Sequence, residues 1–99
     1  MLIDITFRHM DSSPRLRDHA TQRAEKLYRY NDQVQNVHIV LSSEKIHHIA
    51  EITVHTPGEL FKAASKSEDL YKSIDLTVEK LERHLKKRKE KVKVESHRA

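Results

Sequence analysis

Apolar and polar side chains alternate at the start of the chain: Ile3, Ile5 and Phe7 against Asp4, Thr6 and Arg8. A period of two is that of a strand with one buried face. Asp11-Ser12-Ser13-Pro14 then breaks the pattern, with Ser13 placed to cap a helix and Pro14 to open its first turn. Leu16, Ala20, Ala24 and Leu27 follow at helical spacing, which predicts a first helix to about Tyr30. A second strand is expected over residues 34–42, with Val37, Ile39 and Leu41 inward and His38 outward. Ser43-Glu44-Lys45 turns the chain into a third strand over 46–55, with Ala50, Ile52 and Val54 inward. Pro57-Gly58 is a turn that needs a positive φ at glycine, and a short fourth strand over 59–65 puts Phe61 and Ala63 inward. Ser65-Lys66-Ser67-Glu68 has the form of a capping box. Beyond it Leu70, Ile74, Val78, Leu81 and Leu85 mark a second helix to about Lys91, leaving 92–99 as a short flexible tail.

The order is strand, helix, three strands, helix. A strand–helix–strand crossover makes the first two strands parallel neighbours, and short turns make strands two to four an antiparallel meander. Each strand has one apolar face and each helix one apolar stripe, so both helices belong on one side of a four-stranded sheet. The expectation is a single α+β domain over residues 1–91, a two-layer β-α-β-β-β-α sandwich.

Composition narrows the chemistry. The 99 residues include no cysteine, which removes disulfides, thiol nucleophiles and thiolate metal sites, and one glycine, which removes a glycine-rich phosphate loop. No apolar run approaches the roughly 18 residues of a membrane helix, and the chain opens directly into a strand pattern, so a cytoplasmic protein is expected. The net charge of +4 is unevenly spread. Residues 80–93 hold eight Lys/Arg against two Glu, a net of +6, while the remainder carries eleven basic and thirteen acidic residues, a net of −2. All the excess positive charge sits in one helical segment, which points to a polyanion as partner.

At about 100° per residue the second helix separates two faces. Ile74, Val78, Leu81 and Leu85 cluster on one, while Lys80, Arg83, His84, Lys87 and Lys91 form a stripe beside it, about 16 Å long at 1.5 Å per residue. Cations at fixed spacing on a rigid rod suit successive backbone phosphates. The plainer reading is a solvated face with pairs such as Glu79–Arg83 and Glu82–Lys86. Lys86, Arg88 and Lys89 add to the positive segment, and Arg23 and Lys26 of the first helix are further candidates. With both helices on one side of the sheet, the two basic rows would border a common groove.

Other chemistries are weaker. His47 and His48 are adjacent in a strand and face opposite ways, and no histidine pair stands at i, i+4 on a helix with a carboxylate, so no metal site is expected. The serines sit at turns and caps, and no carboxylate has the apolar surroundings that general acid–base work requires. No enzyme and no cofactor are expected. Tyr28, Tyr30 and Tyr71 fall in helices and Phe7 and Phe61 on the core side of strands, so the sheet offers no row of stacking aromatics and phosphate recognition is favoured over base stacking.

The chain resembles the short ribosome hibernation-promoting factors and the related ribosome-associated inhibitor A, of the sigma-54 modulation protein family. The resemblance covers residues 1–91. It is carried by Ile5-Thr6, Leu16-Arg17, Lys26-Leu27, Val40-Leu41 and Glu44-Lys45, and above all by residues 68–75 (EDLYKSID) followed by 79–91 (EKLERHLKKRKEK). It implies a fold related in shape to double-stranded RNA-binding domains. It further implies binding to the small ribosomal subunit in the channel of messenger and transfer RNA, inhibition of translation, and stabilisation or pairing of idle ribosomes in stress or stationary phase. Short members pair ribosomes with help from a separate modulation factor, and the few residues after Lys91 match the short form. On this reading Lys80, Arg83, Lys87 and Lys91 contact ribosomal RNA phosphates; neither DNA nor membrane is a partner. The alternative is a general double-stranded RNA-binding module acting away from the ribosome.

Overall fold

A computed structural model describes the backbone of residues 1–98 and the side chains of residues 1–88. The chain runs β1 (Leu2–Arg8), α1 (Pro14–Glu25), a 3₁₀ turn (Lys26–Arg29), β2 (Asn36–Glu44), β3 (His47–Thr56), β4 (Glu59–Ser67) and α2 (Leu70–Arg98). The sheet order is β1-β2-β3-β4, with β1 and β2 parallel and the remaining neighbours antiparallel. The expected α+β sandwich is therefore the observed one.

The core follows the two periods in the sequence. Val37, Ile39, Leu41, Ala50, Ile52 and Val54 contribute the inner face of the central strands, all without exposure. Above them α1 lays down Leu16, Ala20 and Ala24, the 3₁₀ turn adds Leu27, and α2 adds Leu70, Ile74, Val78, Leu81 and Leu85. Ser13 caps α1 as expected, its Oγ accepting from the Leu16 N–H at 3.3 Å. Gly58 has the left-handed φ of 73° that the Pro57-Gly58 turn demands.

Several boundaries differ from the expected ones: the first helix, expected to about Tyr30, gives way to the 3₁₀ turn after Glu25, and β2, expected over 34–42, spans Asn36–Glu44. The first hairpin closes on the two residues Lys45 and Ile46, because Glu44 still pairs with His47; Lys45 alone of the two takes a positive φ, 57°. At the other end, β4 continues to Ser67 because β3 offers partners as far as His48. Ser65 is thus a buried ladder residue opposite Ala50, not a helix cap. Asp69 caps α2 instead, its Oδ1 accepting from the Lys72 N–H at 2.9 Å. Finally, α2 runs to Arg98 where the apolar pattern predicted an end near Lys91. No glycine or proline occurs between Leu70 and Arg98, so nothing in the backbone stops the helix once its packed half has formed. Residues 92–98, expected as a tail, belong to this helix, and Ala99 lies outside the described residues.

Candidate nucleic-acid interface

Where the basic stripe points depends on how α2 is rotated about its axis, and three polar contacts set that rotation. Ser73 Oγ donates to the His48 carbonyl at 2.7 Å, and the buried Thr77 Oγ1 lies 3.3 Å from the Ala50 carbonyl, both on β3. One turn further, Lys80 Nζ donates to the Ala64 carbonyl of β4 at 2.7 Å. Hydroxyls in a helix interior usually bond only to their own preceding turn, as Thr77 also does to the Ser73 carbonyl at 2.7 Å. Their extra reach to the sheet fixes the flank of α2 that carries Ser73, Thr77 and Lys80 above β3 and β4.

The candidate cations consequently differ from one another. Arg83, Lys86 and Lys87 are exposed, and none has a carboxylate partner within 4 Å among the described residues. The pairs Glu79–Arg83 and Glu82–Lys86, which would have made the face self-neutralising, do not form. Lys80 is half-buried with its ammonium on the Ala64 carbonyl, an arrangement that still leaves donors for a second acceptor. Arg88 pairs with Glu59 of β4, Nε to Oε2 at 3.1 Å. The side chains of Lys89 and Lys91 lie outside those described.

On α1 and the 3₁₀ turn that follows it the candidates separate in the same way. Lys26 is exposed. Arg23 is held at the seam between the helices: its Nε stands 3.1 Å from Asp75 Oδ1 as an ion pair, and His19 Nε2 reaches the same oxygen at 2.8 Å. Tyr71 covers the His19 ring edge-on, centroids 5.1 Å apart. Arg17, also of α1, lies over the Phe7 ring at 5.5 Å. These contacts correct the expectation of a common groove. Asp75 faces α1, and the stripe of Lys80, Arg83, His84 and Lys87 lies about 80° to 180° round the helix from it at 100° per residue. The stripe looks out over the β4 side, and the seam is closed by paired side chains.

On the β4 side the structure brings together residues that lie far apart in the chain. Glu59, Phe61, His84, Lys87 and Arg88 line a cavity of about 660 Å³. The Glu59–Arg88 pair also borders a second cavity, about 330 Å³, with Asn31, Asp32, Gln33, Thr56 and Pro57. Sequence reasoning missed both, as it missed Asp75, because a partner 29 positions away in the sequence leaves no local signal.

The opposite face of the sheet is mixed. Asp4, His38, Thr53 and Lys62 stand in register across all four strands, with Asp4 bonded to His38. Among the described residues no three metal-ligating side chains converge, and no helix is long and apolar enough to cross a membrane.

Comparison with known proteins places this arrangement. A family model described as sigma 54 modulation protein / S30EA ribosomal protein matches residues 3–93. The ribosome hibernation promoting factor of Klebsiella oxytoca is 36% identical over 93 residues, covering 94% of this chain and 98% of that protein. Its counterpart in Escherichia coli K12 is 34% identical over the same length and shares. Among solved structures, a ribosomal subunit interface protein from Coxiella burnetii superposes with a TM-score of 0.80 at 35% identity, covering 90% of this chain and 98% of that one. The N-terminal domain of Thermus thermophilus Protein Y gives 0.76 at 32% identity, covering 87% and 92%. With the model matched along nearly the whole chain and the same two-layer fold in its relatives, the protein belongs to the sigma 54 modulation / S30EA ribosomal protein family.

Proposed function

We propose that this protein is a non-catalytic ribosome hibernation factor. It binds the small ribosomal subunit in the channel used by messenger and transfer RNA, blocks translation, and preserves or pairs idle ribosomes under stress. It acts in the cytoplasm without a cofactor, and pairing draws on a separate modulation factor. The observation that carries this reading is the exposed cation row of α2, Arg83 and Lys87 with Lys80 at its edge, in a chain whose relatives are ribosome hibernation promoting factors. Cations held by a helix that is itself pinned to a sheet meet phosphates with little side-chain ordering beyond the terminal groups, and each neutralised phosphate releases counterions. Lys26, exposed on the α1 side and away from this row, is a second and separate candidate contact, and Arg23 supports the row indirectly by tying α1 to Asp75.

The experiment is a sucrose-gradient profile of ribosomes and of separated subunits with and without the protein. Co-migration with the small subunit, prevented when transfer RNA already fills its sites, is the expected result. Displacement by free duplex RNA at a concentration comparable to that of the ribosomes would instead identify a general duplex binder. A folded variant with Arg83, Lys86 and Lys87 all changed to Glu is expected to stay at the top of the gradient, and undiminished co-migration of that variant overturns the proposal.

A further inference from the structure

The groove between β4 and the second half of α2 holds an aromatic ring among cations. Phe61 faces inward by strand parity, yet it is half-buried where its equivalents on β2 and β3 are fully covered. The reason is position: β4 is the edge of the sheet, so Phe61 has a neighbouring strand on one side alone. Its open side lines the cavity of about 660 Å³, within the range of small-ligand sites, and His84, Lys87 and Arg88 of α2 stand along the same cavity. Glu59 also lines it, but its carboxylate is engaged by Arg88 at 3.1 Å, so with His84 neutral the lining carries a net charge of +1. A phenyl ring offers nothing to a phosphate, and a lysine nothing specific to a base. An open ring beside an exposed ammonium matches a ligand that is flat and apolar at one end and anionic at the other.

We propose that this groove receives one unstacked nucleotide of RNA, its base against Phe61 and its phosphate at Lys87. The proposal deepens the function assigned to α2 and rests on it for the source of the RNA. It adds a stacking contact to a surface otherwise devoted to phosphates. Every base has a π-face, so such a contact is tolerant of sequence.

The test uses the full chain, isotopically labelled, titrated by NMR with adenosine monophosphate, ribose 5-phosphate and a single-stranded hexaribonucleotide. The hexanucleotide is expected to shift the Phe61 ring and Lys87 resonances together, the monophosphate to do so more weakly, and ribose 5-phosphate to leave the ring unmoved. Phe61→Leu keeps the apolar contact with the core and is expected to weaken hexanucleotide binding roughly 5- to 150-fold, while Phe61→Tyr retains it. Thermal melts establish that both variants fold, and a silent Phe61 ring in the wild-type protein overturns the proposal without recourse to either. Equal binding by Phe61→Leu overturns it too, and a monophosphate that binds as tightly as the hexanucleotide overturns RNA as the occupant in favour of a free nucleotide. Co-sedimentation keeps the two ideas apart. Ribosome binding with an inert Phe61 ring removes the nucleotide site and leaves the ribosomal function; a responsive ring in a protein that ignores ribosomes does the reverse.

Discussion

Replacing Arg83 and Lys87 by Gln removes two exposed cations of the stripe, neither with a carboxylate partner among the described residues. Binding that neutralises phosphates weakens with salt by about 0.7 to 0.9 in log K per tenfold salt for each phosphate contacted. Two lost contacts therefore flatten the salt dependence by about 1.4 to 1.8. Between about 50 and 200 mM salt, the wild-type protein should lose roughly 7 to 12 times more affinity than the double variant. Arg23→Gln provides the contrast, since that side chain is 26% exposed and its Nε stands against Asp75, so its removal should leave the slope unchanged. The assay is co-sedimentation with small subunits across a salt series, with circular dichroism confirming the fold of each variant. An unchanged slope in the double variant, or an equal flattening by Arg23→Gln, would refute the placement of the phosphate contacts on the β4 side of α2.

Other outcomes test the frame that holds the stripe. Leu81→Ala empties a fully buried site between α2 and the sheet and should cost about 2–5 kcal/mol in denaturant unfolding, enough to loosen the helix that carries the cations. Asp69→Ala removes the α2 cap and should cost about 0.5–2 kcal/mol in the same measurement. Gly58→Ala meets no atom within 4 Å, so only the left-handed φ is penalised, and the loss should be about 1–2 kcal/mol. Glu68, held below the ordinary glutamate range by its own backbone N–H and by the Lys72 ammonium, favours the folded state above that range. The benefit should disappear as pH falls through its folded-state value, and a carbon-detected titration should show that value rising in Lys72→Gln.

Much of the fold was legible because burial imposes a period on the chain. Ile39 and Leu41 follow the strand period and Ile74 and Val78 the helical one, and each lies where its period puts it, fully covered. The capping of α2 was misread for a reason of the same kind. Ser65 and Glu68 satisfy a local pattern, but Ser65 pairs with Ala50 and the β3 ladder continues through Lys66 and Ser67, so the helix cannot start at Ser65. A long-range hydrogen-bond ladder outweighs a local cap, and Asp69, the next suitable acceptor, takes its place.

The candidate site divides along the same line. That a cationic row exists on α2, on a face separate from the apolar one, follows from helical spacing alone, since side-chain angles about a helix axis depend only on residue number. The neighbours of that row do not follow from spacing. Ser73 and Thr77 bond to carbonyls 25 and 27 positions away and rotate the stripe toward β4. Asp75 draws Arg23 and His19 into the seam with α1, and Glu59 takes Arg88. Phe61 shows both halves at once. Its parity, a local property, assigned it to the inner face; its open side exists because β4 is the last strand, which is a property of the whole sheet. Which residues share a face follows from their spacing along the chain, because backbone geometry repeats every two or 3.6 residues. Which faces meet and which stay open to a partner depends on the packed fold, because those contacts join residues that no local period connects.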